Sequence, residues 1–206
     1  MREGAVVRII KGGPLLAAAL LAGCVSFGGG KAPNELITLT PESTAPAGNI
    51  GSGSLAEALV VLDPDTDRRL DVQRVPVQMD DATLAYLKDA VWVERPARQF
   101  RRLLAETIRA RGNRLVLESS DDETGGRITL SGRLLDMGYD SRSGSVVVRF
   151  DAVRKQAGGQ LEVRRFESVV TGVEPKAPAV APALNRAAND VARQVSDWVN
   201  TVVPAA

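Results

Sequence analysis

The sequence predicts an α+β fold: a two-layer sandwich with two amphipathic helices on one face of a mixed, largely antiparallel sheet. Three observations lead there. Residues 128–170 hold three long segments with apolar residues at period two, joined by short turns, which is the pattern of an antiparallel meander. Two other stretches, one opening at Pro96 and one running from Leu184 to Val199, space their apolar residues by threes and fours. Two helices of that length can cover only one face of so wide a sheet. The other face is left partly exposed, or to loops or partners.

Each element has its own signal. Residues 35–39, Glu-Leu-Ile-Thr-Leu, read as a first strand stopped by Pro41. Residues 41–54 are rich in proline, glycine and serine and read as a loop. Ala58-Leu59-Val60-Val61-Leu62 is apolar at every position, which predicts a strand buried on both faces. Asp63-Pro64-Asp65 ends it. Leu70 to Met79 reads as extended, with a breaker at Pro76. Leu84–Leu87 and Ala90–Val93 read as two short strands.

Pro96 then opens the first helix, since proline suits a first helical turn. Phe100, Leu103, Leu104, Thr107, Ile108 and Arg111 form its apolar-side stripe, and Gly112-Asn113 predicts a left-handed stop. Arg98, Arg101, Arg102 and Arg109 fall largely on other faces. They read as a solvated face; a patch for anionic lipid or a partner is the sharper alternative. Trp92 and Pro96 read as structural, the tryptophan burying a large ring beside the start of the helix and the proline fixing its first turn.

Arg114 to Glu118 reads as a strand. Asp121-Asp122-Glu123 with Gly125-Gly126 matches a calcium loop poorly and reads as a solvated turn. In the meander, Ile128, Leu130 and Leu134 share one phase, and Val146, Val148, Phe150 and Ala152 share another strand's inner face. Gly158-Gly159 predicts a two-residue hairpin. The third strand changes phase, with Leu161 and Val163 odd but Phe166 and Val170 even. That predicts a bulge near Arg164-Arg165. Glu174 to Pro182 reads as a proline-rich link. The last helix carries Leu184, Ala188, Val191, Val195, Trp198 and Val199 on one stripe, with Trp198 in the core.

The start of the chain is of another kind. Arg2, Arg8 and Lys11 precede a short apolar run, Pro14 to Ala22, and then Leu21-Ala22-Gly23-Cys24. A basic beginning, a short apolar stretch and small residues before a cut site make a secretory signal. A transmembrane helix would need about 20 apolar residues, and this run is shorter. Leu-Ala-Gly-Cys resembles the lipobox of bacterial lipoproteins. That resemblance implies cleavage before Cys24, a diacylglycerol on its thiol and an acyl group on its amine. More than one chain is what stable anchoring takes. The expected layout is a signal peptide over 1–23, a flexible tether over 24–33 and a single periplasmic domain over 34–206.

Composition excludes several activities. There is no histidine, so no histidine triad, general base or metal ligand. The one cysteine is committed to lipid, which removes thiolate metal sites and disulfides. No cofactor, metal or catalytic residue is expected. A formal net charge of +1 gives no support for nucleic-acid binding. Asp63, Asp65 and Asp67 lie close together, but they read as solvated turn acids rather than a hydrolase site.

Taken in order, these segments resemble the ABC-type transport auxiliary lipoprotein family, which includes the PqiC-like lipoproteins. The likeness rests on the lipobox, on Asn34-Glu35-Leu36-Ile37-Thr38-Leu39-Thr40-Pro41, on the buried strand and on Leu70-Asp71-Val72-Gln73-Arg74-Val75-Pro76-Val77. Its most specific part is Tyr86-Leu87-Lys88-Asp89-Ala90-Val91-Trp92-Val93-Glu94-Arg95-Pro96, similar to the family's tyrosine-leucine and tryptophan-x-acid-x-proline pattern. The usual tyrosines of the first strand are absent here.

The resemblance implies a non-enzymatic accessory subunit. Its partners would be an ABC permease and ATPase and an MCE-type lipid-binding protein, which together move phospholipid or related molecules across the Gram-negative envelope. An outer-membrane assembly lipoprotein of the lipopolysaccharide-transport type is the alternative. Val25 stands where an aspartate would retain a lipoprotein in the inner membrane, so the outer membrane is favoured. A homo-oligomer is compatible with this reading.

Overall fold

The structure is a computed structural model that describes residues 35–48, 51–112, 114–119 and 127–201. The chain runs β1 (Leu59–Leu62), β2 (Asp65–Thr66), β3 (Arg74–Gln78), β4 (Leu84–Val91), α1 (Pro96–Arg111) and β5 (Val116–Ser119). It continues with β6 (Ile128–Asp140), β7 (Ser145–Lys155), β8 (Leu161–Val170) and α2 (Ala177–Val199). The fold is α+β, with one eight-stranded mixed sheet and two helices.

β6 is the spine of the sheet. Along one side it pairs antiparallel with β7 over nearly its whole length, and β7 pairs antiparallel with β8. Its other side is shared by three strands, all parallel to it. β1 lies against Ile128–Leu130, β2 against Arg133 and Leu134, and β3 against Tyr139 and Asp140. β5 extends the sheet from β1 in parallel, and β4 extends it from β3 antiparallel. β1 is buried at all four positions and lies inside the sheet, between β5 and β6.

The core lies between the helices and one sheet face. Val146, Val148, Phe150 and Ala152 of β7 point into it, with Phe166 from β8. Phe100 of α1 meets Phe150 edge-on, ring centroids 5.3 Å apart, and Trp198 of α2 meets Phe166 at 5.6 Å.

Several expectations are corrected. Residues 35–39 are not a strand; Ile37 makes one isolated bridge to Trp92. Asp65–Thr66 is a short strand rather than part of a turn alone, and Pro76 sits inside β3, not at a break. Residues 84–91 form one irregular strand, β4, which joins the first expected segment to the start of the second; Trp92 follows it as an isolated bridge. Between Pro76 and Arg74 the register of β4 shifts, and Asp89 takes a positive φ of 57°.

No bulge interrupts β8; its register with β7 is continuous. The bulge is in β6, between Leu134 and Asp136. Leu130 and Leu134 are buried before it, Met137 and Tyr139 after it, so the extra residue moves the buried phase from even to odd. Gly112 does not supply the left-handed stop expected of Gly112-Asn113, and Asn113 lies outside the described residues. Gly112 is extended at φ −120°, and its N–H donates to the Ile108 carbonyl at 2.9 Å. α2 begins at Ala177, inside the expected link. Pro178 sits in its first turn, where a missing N–H costs nothing, and Pro182 forfeits only the bond to the carbonyl of Pro178.

Candidate docking surfaces

Trp92 has no exposed surface and lies just past the end of β4, where its backbone N–H donates to the Gln73 carbonyl at 3.0 Å. Its indole Nε1 is buried without a partner. Pro96 is the first residue of α1, whose preceding residue, Arg95, offers no side-chain cap. Gln99 does the holding here: Nε2 donates to the Glu94 carbonyl at 2.9 Å and Oε1 accepts from Leu39 N–H at 2.9 Å. Cys24 lies outside the described residues.

Residues 39–45 form a strap laid across both helices. Thr40 N–H donates to Asn185 Oδ1 and Glu42 N–H to Asn189 Oδ1, each at 2.8 Å. Asn189 Nδ2 returns a bond to the Thr40 carbonyl at 2.9 Å, and Ala45 N–H donates to Glu106 Oε1 at 2.8 Å. Side chains of α1 and α2 thus satisfy the strap's backbone where no strand does. Beside it, Leu36, Ile37, Pro178, Ala181 and Pro182 border a mainly apolar cleft of about 420 Å³.

The arginines of α1 are not a uniformly solvated face. Arg98 and Arg102 are exposed and both pair with Glu94. Arg101, however, is largely covered and reaches Asp63 at 3.1 Å and Glu118 at 3.4 Å. Arg109 pairs with Glu106 at 2.6 Å and lies 3.6 Å from Glu118. Acid neighbours therefore offset this basic set, which removes the charge excess an anionic-lipid patch would need. The three aspartates of 63–67 do not converge either. Asp63 faces Arg101, Asp67 pairs with Arg69 at 3.0 Å, and Asp65 sits exposed in β2.

The sheet face away from the helices carries rows of alternating charge across the meander. Arg69 bonds Asp136 at 2.8 Å, Asp136 bonds Arg149 at 2.5 Å, and Arg149 pairs with Glu167. One step along, Arg165 makes a two-toothed pair with Asp151 at 2.6 and 2.7 Å. The Arg165 guanidinium holds the Asp151 carboxyl below the usual 3.8. Arg142 does the same for Asp140, with Asp81 on its other side. The sequence marked Arg165 only as the place of a bulge and not the others; their signal was charge at period two on β7 and β8, Arg149 and Asp151 opposite Glu167 and Arg165.

A buried ion pair was also missed. Arg154, almost wholly covered, points its Nη1 at the carbonyls of Trp198, Val199 and Thr201, at 3.1, 3.3 and 3.3 Å. Its Nη2 bonds Glu162 at 2.7 Å, and the guanidinium stacks 4.9 Å above the Trp198 ring. A cation here satisfies the orphan carbonyls and the negative end of α2.

Among the described residues no group of three or more metal-binding side chains assembles, and no helix is long and apolar enough to cross a membrane. The fold defines a class: an α+β sandwich with one sheet face under helices and the other open and ion-paired. A family model for the ABC-type transport auxiliary lipoprotein component matches residues 38–196, and the chain belongs to that family. It is thereby an auxiliary lipoprotein component of ABC-type transport, associated with the cell envelope.

Two crystal structures share the fold. One, of an uncharacterized protein, aligns at TM-score 0.61 and 14% identity over 81% of this chain and 100% of that one. The other, protein XCC0632 from Xanthomonas campestris, of family DUF330, aligns at TM-score 0.66 and 16% identity over 80% of this chain and 94% of that one. No curated protein matches the chain.

Proposed function

We propose that this chain is a lipid-anchored periplasmic accessory subunit of an ABC/MCE-type system that moves phospholipid or related hydrophobic molecules across the Gram-negative envelope. The observation that carries the reading is the family match, which runs through almost the whole described domain, residues 38–196. On this reading residues 1–23 are removed, Cys24 carries the acyl chains, 24–33 is the tether and 34–206 is the working domain. The membrane is the outer one, from Val25 after the cysteine. The domain works by docking. The tether confines it near one membrane and raises its effective concentration for a partner there. That partner is the MCE-type protein, through which the lipid passes.

Pull-down from detergent-solubilised membranes through the acylated full chain tests the reading. Recovery of MCE and permease subunits is the expected result. Recovery of lipopolysaccharide-assembly proteins in their place would refute it. Cys24→Ala behind a signal peptide that still exports should fold and bind purified partner normally, yet fail to support transport in cells. Full transport by that variant would remove the tethered mechanism.

A further inference from the structure

β8 is an open edge. Among the described residues it pairs with β7 alone, over ten residues, with no proline and no bulge to blunt it. The other outer strands are less available: β4 is irregular around Asp89, and β5 is four residues long. On the open sheet face β8 also shows Leu161, Val163 and Val169, which are 61%, 69% and 46% exposed. These include the residues whose apolar character suggested a buried phase.

The hairpin fixes which backbone groups of β8 are free. Gln156 N–H donates to the Gln160 carbonyl at 2.9 Å, so this pair is hydrogen-bonded. Bonded and non-bonded pairs alternate along an antiparallel ladder. With Lys155 opposite Leu161 and every later pair in step, the even residues of β8 bond to β7. The odd residues, 161 to 169, aim their N–H and C=O off the edge. The carbonyl of Glu167 agrees, for it accepts from Gln194 Nε2 of α2 at 3.2 Å.

We infer that the β8 edge binds a second copy of this chain, antiparallel, about a two-fold axis at Phe166. The register follows from side chains. With the axis there, odd residues face odd residues, their outward backbone groups meet, with the Glu167 carbonyl using its second lone pair beside the Gln194 bond, and both sheets keep their open faces on the same side. Val163 then faces Val169 of the second copy, and Arg165 faces Glu167 of the second copy, each pair occurring twice. The charge rows become continuous. Asp136–Arg149–Glu167 of one chain runs on into Arg165–Asp151 of the other, with signs alternating throughout. Moving the axis by one residue either way sets Arg165 against itself or Glu167 against itself. Moving it by two sets Val163 against Arg165, or Val169 against Glu167.

The test is a charge complementation. Sedimentation velocity of the full chain in detergent, with bound detergent accounted for, should give a protein mass of two chains. Arg165→Glu places two acids at each cross-chain pair, and Glu167→Arg places two bases. Each variant alone should sediment as one chain and weaken dimerisation at least about tenfold, the scale of a like-charge contact. Mixed one to one, they should re-form a two-chain species, since each acid then faces a base. Val163→Pro is a second variant. It removes an N–H that points off the edge and spares the β7–β8 ladder, so it should keep the native circular dichroism and lose the dimer. A wild-type single chain, variants that still dimerise alone, or a mixture that stays monomeric would each overturn the inference. A monomer would leave the transport reading untouched.

Discussion

Trp92→Ala is the substitution whose cost follows most directly from the structure. The side chain has no exposed surface and packs in the cluster that also holds Ile37, Leu87 and Ala90. The backbone bonds of Trp92 to Gln73 and of Val93 to Ile37 survive truncation, so the loss is one of packing. Removing a fully buried tryptophan costs about 3–5 kcal/mol, transfer and cavity together. At about 2–4 °C per kcal/mol for a domain of this size, the melting temperature should fall by about 6–20 °C. Trp92→Phe separates the parts. It deletes the indole N–H, which is buried without a partner, and keeps an aromatic ring, so it should cost less than about 2 kcal/mol. The chain's other tryptophan, Trp198, remains as a fluorescence reporter in urea melts of both variants. An unchanged midpoint and slope for Trp92→Ala would show that the ring does not anchor the start of α1.

Arg154→Ala should cost about 3–5 kcal/mol in a urea melt, because it leaves Glu162 and the last carbonyls of α2 buried without their cation; amide exchange near Trp198 should rise with it. Gly132→Ala and Gly138→Ala should each destabilise by about 1–3 kcal/mol or more. A Cβ at Gly132 would lie 2.1 Å from the Asp151 carbonyl oxygen at a φ of +150°, and one at Gly138 would lie 2.5 Å from that of Pro76. Wild-type melting points at both sites would contradict the strand spacing. Acid should weaken the fold through Asp151 and Asp140, whose carboxyls are held low by hydrogen bonds from Arg165 and Arg142. A lowered folded-state value means that the unfolded chain binds the proton more tightly. Their contribution is therefore whole above about pH 4 and is lost as pH falls through the folded values. Asp151→Asn should flatten that acid limb in melts taken across pH; an unchanged limb would show that the Arg165 pair is not formed.

The sequence by itself determined the elements whose burial is complete or strictly periodic. Val60 and Val61 could only be a strand covered on both sides, and the Phe100–Ile108 stripe could only be a helix on a core. The inner face of β7 was equally plain, as was a hairpin at Gly158-Gly159, though the pair Gln156–Gln160 closes it around three residues rather than two, with Gly159 at a φ of +87°. The lipobox and the motif around Trp92 pointed to the family.

Tertiary structure decided what depends on neighbours distant in the chain. An apolar residue is buried only if something covers it, and nothing in the described chain covers the odd face of β8. Leu161 and Val163 are therefore exposed, and the expected bulge is not there. The true bulge, after Leu134, was written in the spacing from Leu134 to Met137 but needed β7 opposite to show which strand carried it. Residues 36–39 have strand-like composition, yet no strand edge beyond a single bridge receives them, and Gln99, Asn185 and Asn189 take up the backbone instead. The charge rows on the open face had the same cause. Each pair joins residues at least thirteen apart, brought together by sheet register rather than by sequence.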